Sequence, residues 1–341
     1  MAESKMQAIR EWHDVDENIF RNNIEPLYEP AVLRGVAKTW PAVALANQST
    51  TAIADYLKNL DRGAIGEMFV GDKAIDGRYF YSDDLRGMNF KRKKEHFRSA
   101  IDKIVQFANE NSEQTAYLGS MPVFSSIPDF VNENSIPFLD KRIEPRIWLG
   151  NKTTVSSHYD LSHNIACVVS GQRKFTLISP HQIKNLYVGP LEFTIAGQPV
   201  SMANLENPDF DKHPKFAEAL ETAQEAVLEP GDAIFIPTLW WHHVKSLSPF
   251  NVLVNYWWND NVPGQGDPFE ALIHGIYAIR NLPDSQRSAW REIFEHYIFN
   301  PNISESSEHL PNDFKGILAP LTPELAAKIR NFLIGALTHK K

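Results

Sequence analysis

Between residues 145 and 260 this chain reads as one short β-strand after another, and two histidine motifs bracket most of that run. His158-Tyr159-Asp160 lies near its start and Trp240-Trp241-His242-His243-Val244 near its end. Apolar and β-branched residues mark strands at 146–149, 153–159, 164–169 and 173–178, and again at 233–236, 242–246 and 251–257. Gly171-Gln172 reads as a short hairpin connection, and Glu229-Pro230-Gly231-Asp232 as a strong turn. Many short strands with turns between them specify a mainly β fold, a double-sheet jelly roll or barrel.

The flanks differ. Residues 1–110 mix helix and strand. A helix is expected at 52–60, short strands at 67–70 and 78–81 around a turn, and an amphipathic helix at 97–110 with Ile101, Ile104, Val105 and Ala108 at helical spacing. Lys91-Arg92-Lys93-Lys94 is read as a solvated loop before that helix. An excursion at 185–226 includes a helical stretch around 215–225. Beyond 262 the pattern is helical, with segments at 267–280 and 284–298 that start near carboxylate caps. Thr322 as N-cap and Pro323 at the first helical position open a final helix with Leu325, Ile329, Phe332, Leu333 and Leu337 on one face. That face is either core or a dimer contact. The expected division is therefore an N-terminal α/β region at 1–110 packing on a barrel at 111–261, with the insert at 185–226, and a helical region at 262–341.

Composition narrows the function classes. The chain has 341 residues, 43% of them hydrophobic and 22% charged, enough for one large domain or two ordinary ones. A net charge of -8 makes nucleic acid a poor default partner. The single cysteine, Cys167, excludes an internal disulfide and sits in an apolar run that reads as core. Residues 1–16 lack the apolar stretch of a secretory signal, and nothing approaches the ~18 apolar residues of a membrane span. The expected location is the cytoplasm, with no membrane partner.

Of the twelve histidines, His158 alone is followed two residues later by a carboxylate. Residues two apart on a strand share a face, so His158 and Asp160 can reach one metal. With a distant second histidine they form the 2-His-1-carboxylate set that holds Fe(II) on one face and leaves the other open. Strand alternation admits one of His242 and His243, and His242 is taken as the ligand. His163 is read as lying near the ligands or on the surface. An anionic co-substrate needs an inward cation. Arg173 and Lys174 follow Gly171-Gln172, and one of them faces in; Phe175 and Leu177 share the face of Arg173. Asn164 and Asn255 lie in apolar strands and must be hydrogen-bonded, either within the sheet or to a bound molecule.

At this point the chain resembles the JmjC, cupin-fold group of Fe(II)- and 2-oxoglutarate-dependent oxygenases. More narrowly it resembles the asparaginyl hydroxylase that inhibits hypoxia-inducible factor, and bacterial cupin-like relatives. The resemblance covers roughly 25–260. It rests on 158–180, on Asn207-Pro208-Asp209-Phe210 through Val244, and on Pro30-Ala31-Val32-Leu33-Arg34-Gly35 with Trp40-Pro41-Ala42. It implies a double-stranded β-helix core, iron ligands at His158, Asp160 and His242, and 2-oxoglutarate as co-substrate. It places the co-substrate cation on Arg173, the co-substrate tyrosine on Tyr117 and the pocket asparagines on Asn164 and Asn255. It also implies a homodimer formed through the C-terminal helices. Two positions depart from the hydroxylase. Its pocket threonine is Val155 here, and the stretch between Leu186 and Asn207 holds no arginine to clamp an asparagine. Asparagine hydroxylation is therefore not carried over.

The expected activity is hydroxylation of a C–H bond in a protein side chain, peptide or small molecule, with succinate and CO2 as co-products. Demethylation of an N-methyl group is the same step on a different carbon. The competing class is a non-catalytic metal- or ligand-binding cupin, against which the intact ligand set argues.

Overall fold

The computed structural model describes residues 6–110 and 112–338. Its strands are β1 (Gln7–Ala8), β2 (Arg10–His13), β3 (Ala31–Arg34), β4 (Ile65–Gly71), β5 (Arg78–Tyr79), β6 (Lys91–His96), β7 (Thr115–Pro122) and β8 (Pro145–Gly150). They continue with β9 (Thr154–His158), β10 (His163–Ser170), β11 (Arg173–Ile178), β12 (Gln224–Leu228), β13 (Ala233–Ile236), β14 (Trp241–Ser246) and β15 (Asn251–Trp258). One sheet has the order β1-β12-β11-β14-β9-β5, the other β2-β3-β13-β10-β15-β8-β7-β4-β6. The central strands β8 to β15 divide equally between the two sheets. This is the double-stranded β-helix of a jelly roll, extended at the edges by N-terminal strands.

The sequence pattern explains the layering. β10 is buried along its whole length, so it reads as a continuous apolar run rather than an alternation. Ala166 and Val168 face Phe175, Leu177 and Val244 of the opposite sheet. Ile165, Cys167 and Val169 face the other way and pack in one cluster with the helices Pro41–Gln48, Thr50–Leu60 and Phe97–Asn109. The nine-stranded sheet thus has a core on each side, and β10 is its shared wall. Cys167 is fully buried, and burial pushes its thiol well above the usual range, which makes it an inert core residue.

The N-terminal motif and the Pro230-Gly231-Asp232 turn meet. Arg34 Nη1 donates to Asp232 Oδ2 at 2.6 Å and the Gly35 amide to Asp232 Oδ1 at 2.9 Å. A tight turn and a strand end about 200 residues apart in sequence are tied at one carboxylate.

Three local expectations change. Gly171-Gln172 does not close a hairpin: β10 belongs to the nine-stranded sheet, β11 to the six-stranded one, and the two do not pair. Gly171 has φ 74°, and an added Cβ would lie 2.5 Å from Asn251 Oδ1 and from the Phe250 carbonyl, so glycine is required where the chain crosses between sheets. Lys91-Arg92-Lys93-Lys94 is no loop but most of β6, the outermost strand of its sheet, paired with β4. Its charges keep an open edge from pairing with another chain. The stretch around 215–225 is a short helix, Phe216–Glu221, followed by β12.

The chain forms two compact units that divide between Asn259 and Asp260. In the second unit Asp267 caps the helix Pro268–Ile279 through the Phe269 amide at 2.7 Å, and Thr322 caps Pro323–Thr338 through the Leu325 amide at 3.2 Å. The helix Asp284–Phe294 has Pro283 at its N-cap instead of a carboxylate. No helix among the described residues is long and apolar enough to cross a membrane.

Gly171→Ala is expected to lower the unfolding free energy by about 2–4 kcal/mol, from a positive-φ penalty plus a backbone clash. Urea denaturation followed by tryptophan fluorescence checks this; a midpoint unchanged from wild type would contradict the crossing geometry.

Candidate active site

β9 and β14 pair antiparallel with His158 opposite His242. The register then shifts, with Val244 opposite Val155, so β9 carries an extra residue at Ser156-Ser157. Such a bulge re-aims the side chains that follow it. Here it brings both Val155 and His158 onto the wall of one cavity, although they are an odd number of residues apart. The strand stops at His158. Asp160 therefore reaches the site from the segment beyond the strand, not by strand alternation, and its carbonyl accepts from the Leu239 amide at 2.9 Å.

The two imidazole rings lie 4.2 Å apart, centroid to centroid. His158 Nδ1 is 2.9 Å from the Ser156 carbonyl and His242 Nδ1 is 3.0 Å from the Trp240 carbonyl. A carbonyl only accepts, so each Nδ1 carries a proton and each Nε2 is the nitrogen left for a metal, the arrangement that orients metal-binding histidines. His242 Nε2 is 3.6 Å from Asp160 Oδ2. One ligand atom from each of His158, Asp160 and His242 lies within 4.8 Å of the others, a group that could hold a metal ion. Burial pushes the proton affinity of His242 down, and His158 adds to the effect. Both favour the neutral ring, the form a ligand needs. The Trp257 indole donates to Asp160 Oδ2 at 3.1 Å and fixes the carboxylate.

His243 points to the opposite face. Its Nε2 lies 3.3 Å from Glu206 Oε1, and with Lys245 it pulls the Glu206 carboxyl down to about 2. His163 also faces away, packed against the rings of Phe235 and Trp258. His242, and not His243, is the one grouped with His158 and Asp160.

Between the sheets the ligand group opens into a cavity of about 810 Å³. Arg173 lies on its wall with 2% of its surface exposed, and its Nε and Nη2 have no hydrogen-bond partner among the described residues. Burial lowers the proton affinity of this guanidinium while the adjacent Tyr117 hydroxyl opposes that effect; burial pushes Tyr117 itself up to about 12. Lys174 faces outward and pairs with Glu225 at 2.6 Å. Of the two cations, Arg173 is the inward one. Asn255 Nδ2 donates to Asn164 Oδ1 at 3.3 Å, and the Trp148 indole donates to Asn255 Oδ1 at 2.7 Å. The asparagines thus bond within the sheet, bridging β10 to β15, and they also line the cavity.

Further wall residues escaped the sequence reading. Arg92 and Arg146 line the same cavity, together with the segment 194–198 of the insert. Arg92 donates to the Ile195 carbonyl and so ties the basic edge strand to the insert. The signal for Arg146 was present: Ile147 and Leu149 belong to the outer core, so alternation turns Arg146 and Trp148 inward.

Residues 17–263 match the sequence profile described as a cupin-like domain. The chain belongs to the cupin-like domain family. Among the curated relatives of this cupin-like protein, Lysine-specific demethylase JMJ31 of Arabidopsis thaliana is 30% identical over 71% of this chain and 48% of its own length. Lysine-specific demethylase 8 of Danio rerio is 29% identical over 70% of this chain and 55% of its own. The tRNA wybutosine-synthesizing protein 5 of Danio rerio is 26% identical over 72% and 73%. The chain spans about half the length of the two demethylases. These relatives support the JmjC, cupin-type resemblance; their names do not point to asparagine hydroxylation. JmjC enzymes of this family use Fe(II) and 2-oxoglutarate, and the His-Asp-His group is in place here. The cavity fits that pair on its own evidence. A buried guanidinium with two unmatched donor nitrogens calls for an anion, and a dicarboxylate offers one carboxylate to it and the other to a metal.

Without a bound anion the Arg173 charge is uncompensated and costly. Arg173→Met is therefore expected to raise the melting temperature of the ligand-free protein by about 2–4 °C, roughly 1 kcal/mol. Scanning calorimetry in buffer free of carboxylic acids checks this; a fall would mean the charge is already satisfied.

Proposed function

We propose that this chain is an Fe(II)- and 2-oxoglutarate-dependent oxygenase that hydroxylates a C–H bond. The observation that carries the reading is one cavity with the His158-Asp160-His242 group and the unmatched Arg173 on its wall. Leu177 pairs with His242 and Arg173 lies four residues before it, roughly 13 Å along the strand. An arginine side chain and a five-carbon diacid together cover that distance.

In this reading Nε2 of His158, Nε2 of His242 and a carboxylate oxygen of Asp160 hold Fe(II). Arg173 grips the far carboxylate of 2-oxoglutarate in bidentate fashion, with the Tyr117 hydroxyl beside it. Asn164 and Asn255, already locked to each other and to Trp148, orient the co-substrate's middle. The bound iron with 2-oxoglutarate and O2 supplies the oxidising power, and 2-oxoglutarate ends as succinate and CO2. The protein's part is orientation and dryness: Phe175, Val244 and Leu253 wall the cavity with apolar side chains and keep water from the reacting carbon.

The reacting carbon belongs to a protein side chain, an RNA base or a small molecule. Two relatives are named for lysine demethylation and one for tRNA modification. On an N-methyl carbon the same hydroxylation ends in demethylation, and that outcome fits the cavity equally. The net charge of -8 does not exclude RNA, as a site reads local rather than summed charge.

We also propose a homodimer through the second unit. Tyr277, Phe299, Phe314, Ile317 and Phe332 are all more than 60% exposed there, and exposed apolar surface of that extent marks an interaction site. Light scattering after gel filtration is expected to give twice the mass of the 38.8 kDa chain; a monomer at micromolar concentration would contradict it.

Protein purified without oxygen and then given Fe(II), 2-oxoglutarate and O2 is expected to form succinate slowly even without its substrate. His158→Ala and Asp160→Ala should lower that rate at least a hundredfold, while Lys174→Gln leaves it near wild type. Mass spectrometry of succinate decides; equal rates in wild type and Asp160→Ala would overturn the reading.

A further inference from the structure

We propose that Arg146 is a specificity-determining residue that receives a carboxylate of the substrate, so that this protein acts on an acidic peptide. The proposal rests on the oxygenase reading and names the substrate class for that same cavity. β8 turns Trp148 and Arg146 to the cavity and Ile147 to the outer core. Trp148 is committed to Asn255, deep in the site. Arg146 lies one alternation farther along the strand, half-buried on the wall.

Its surroundings hold it without neutralising it. Arg146 Nη1 donates to the Ser120 carbonyl at 3.2 Å, and Arg146 makes no ion pair among the described residues. The acceptor is itself specially placed. The β7–β8 register shifts between Leu118 and Met121, and Ser120 within that bulge has φ 45°. A non-glycine residue in the left-handed region costs energy and tends to persist at ligand sites. Here the strained turn presents the carbonyl that Arg146 uses.

The other charges on the wall are accounted for. Arg92 lies 3.7 Å from Glu67, and Arg173 is assigned to the co-substrate. That leaves one guanidinium whose Nε–Nη2 edge makes no hydrogen bond among the described residues, a shape that takes a carboxylate through two parallel bonds. A single unmatched cation on a wall that also carries Glu67 suits one carboxylate better than a polyphosphate backbone.

The test uses the full chain loaded with Mn(II) and 2-oxoglutarate without oxygen, so that binding is read and nothing turns over. Stabilisation of the wild type by 2-oxoglutarate is measured first. Its absence would fail the oxygenase reading. Its presence without the preference described next would fail the Arg146 assignment alone. The probes are two matched synthetic peptide pools, one rich in Asp and Glu and the other with Asn and Gln at the same positions, and total tRNA. Wild type is expected to retain the acidic pool at least tenfold better than its amide match. Arg146→Gln should remove that difference. Arg146→Lys keeps the charge but loses the fork, and should reduce the difference at least threefold; it decides the matter if the Gln variant does not fold. Equal retention of the pools, a preference that survives both variants, or retention of tRNA alone would overturn the proposal.

Discussion

His158 and His242 face each other across one antiparallel pair, and the rest of the site is placed relative to that pairing. The bulge at Ser156-Ser157 sets the rotation of His158. The backbone carbonyls of Ser156 and Trp240 set which nitrogen of each ring points inward. Asp160 enters from the segment beyond the strand end and is held by Trp257, a residue of the opposite sheet. A slip of one residue in the pairing would exchange His242 for His243, and with it the cavity for the buried contact with Glu206 on the other face.

The same alternation builds the far side. β10, β15 and β8 each send one set of residues into the helical layer and the other set into the cavity. The helix-side set is almost purely apolar and pins the register by burial. The cavity-side set is then available for polar residues: Asn164, Asn255, Trp148 and Arg146. Burying so many polar groups is costly unless they bond to each other or to a ligand. The asparagines and Trp148 satisfy one another. Arg173 does not, and that mismatch is the strongest physical argument that a dianion belongs in the cavity.

Much of this was legible from residues alone. The strand run, the turn at Pro230-Gly231-Asp232, the inertness of Cys167 and the choice of His242 over His243 follow from periodicity and burial. Other features were not, for identifiable reasons. Gly171-Gln172 has the chemistry of any tight turn, and a turn does not say whether the next strand pairs with the last or crosses to another sheet. Lys91-Arg92-Lys93-Lys94 is an edge strand with no apolar side, so alternation carries no signal there. Asp160 joins the group from beyond the strand end and not by the strand alternation expected for it. Arg146 was within reach: its strand was recognised, but its phase relative to Ile147 and Leu149 was not used. The helices of the second unit were legible as helices from their caps and apolar spacing.

The most direct measurement of the central claim is visible absorption without oxygen, because Fe(II) chelated by an α-keto acid gains a charge-transfer band that neither component shows alone. The account predicts that this band appears when wild-type protein receives both Fe(II) and 2-oxoglutarate, is lost in Asp160→Ala, and needs far more 2-oxoglutarate in Arg173→Met. A spectrum that stays featureless in the folded wild-type protein with both components present would contradict it.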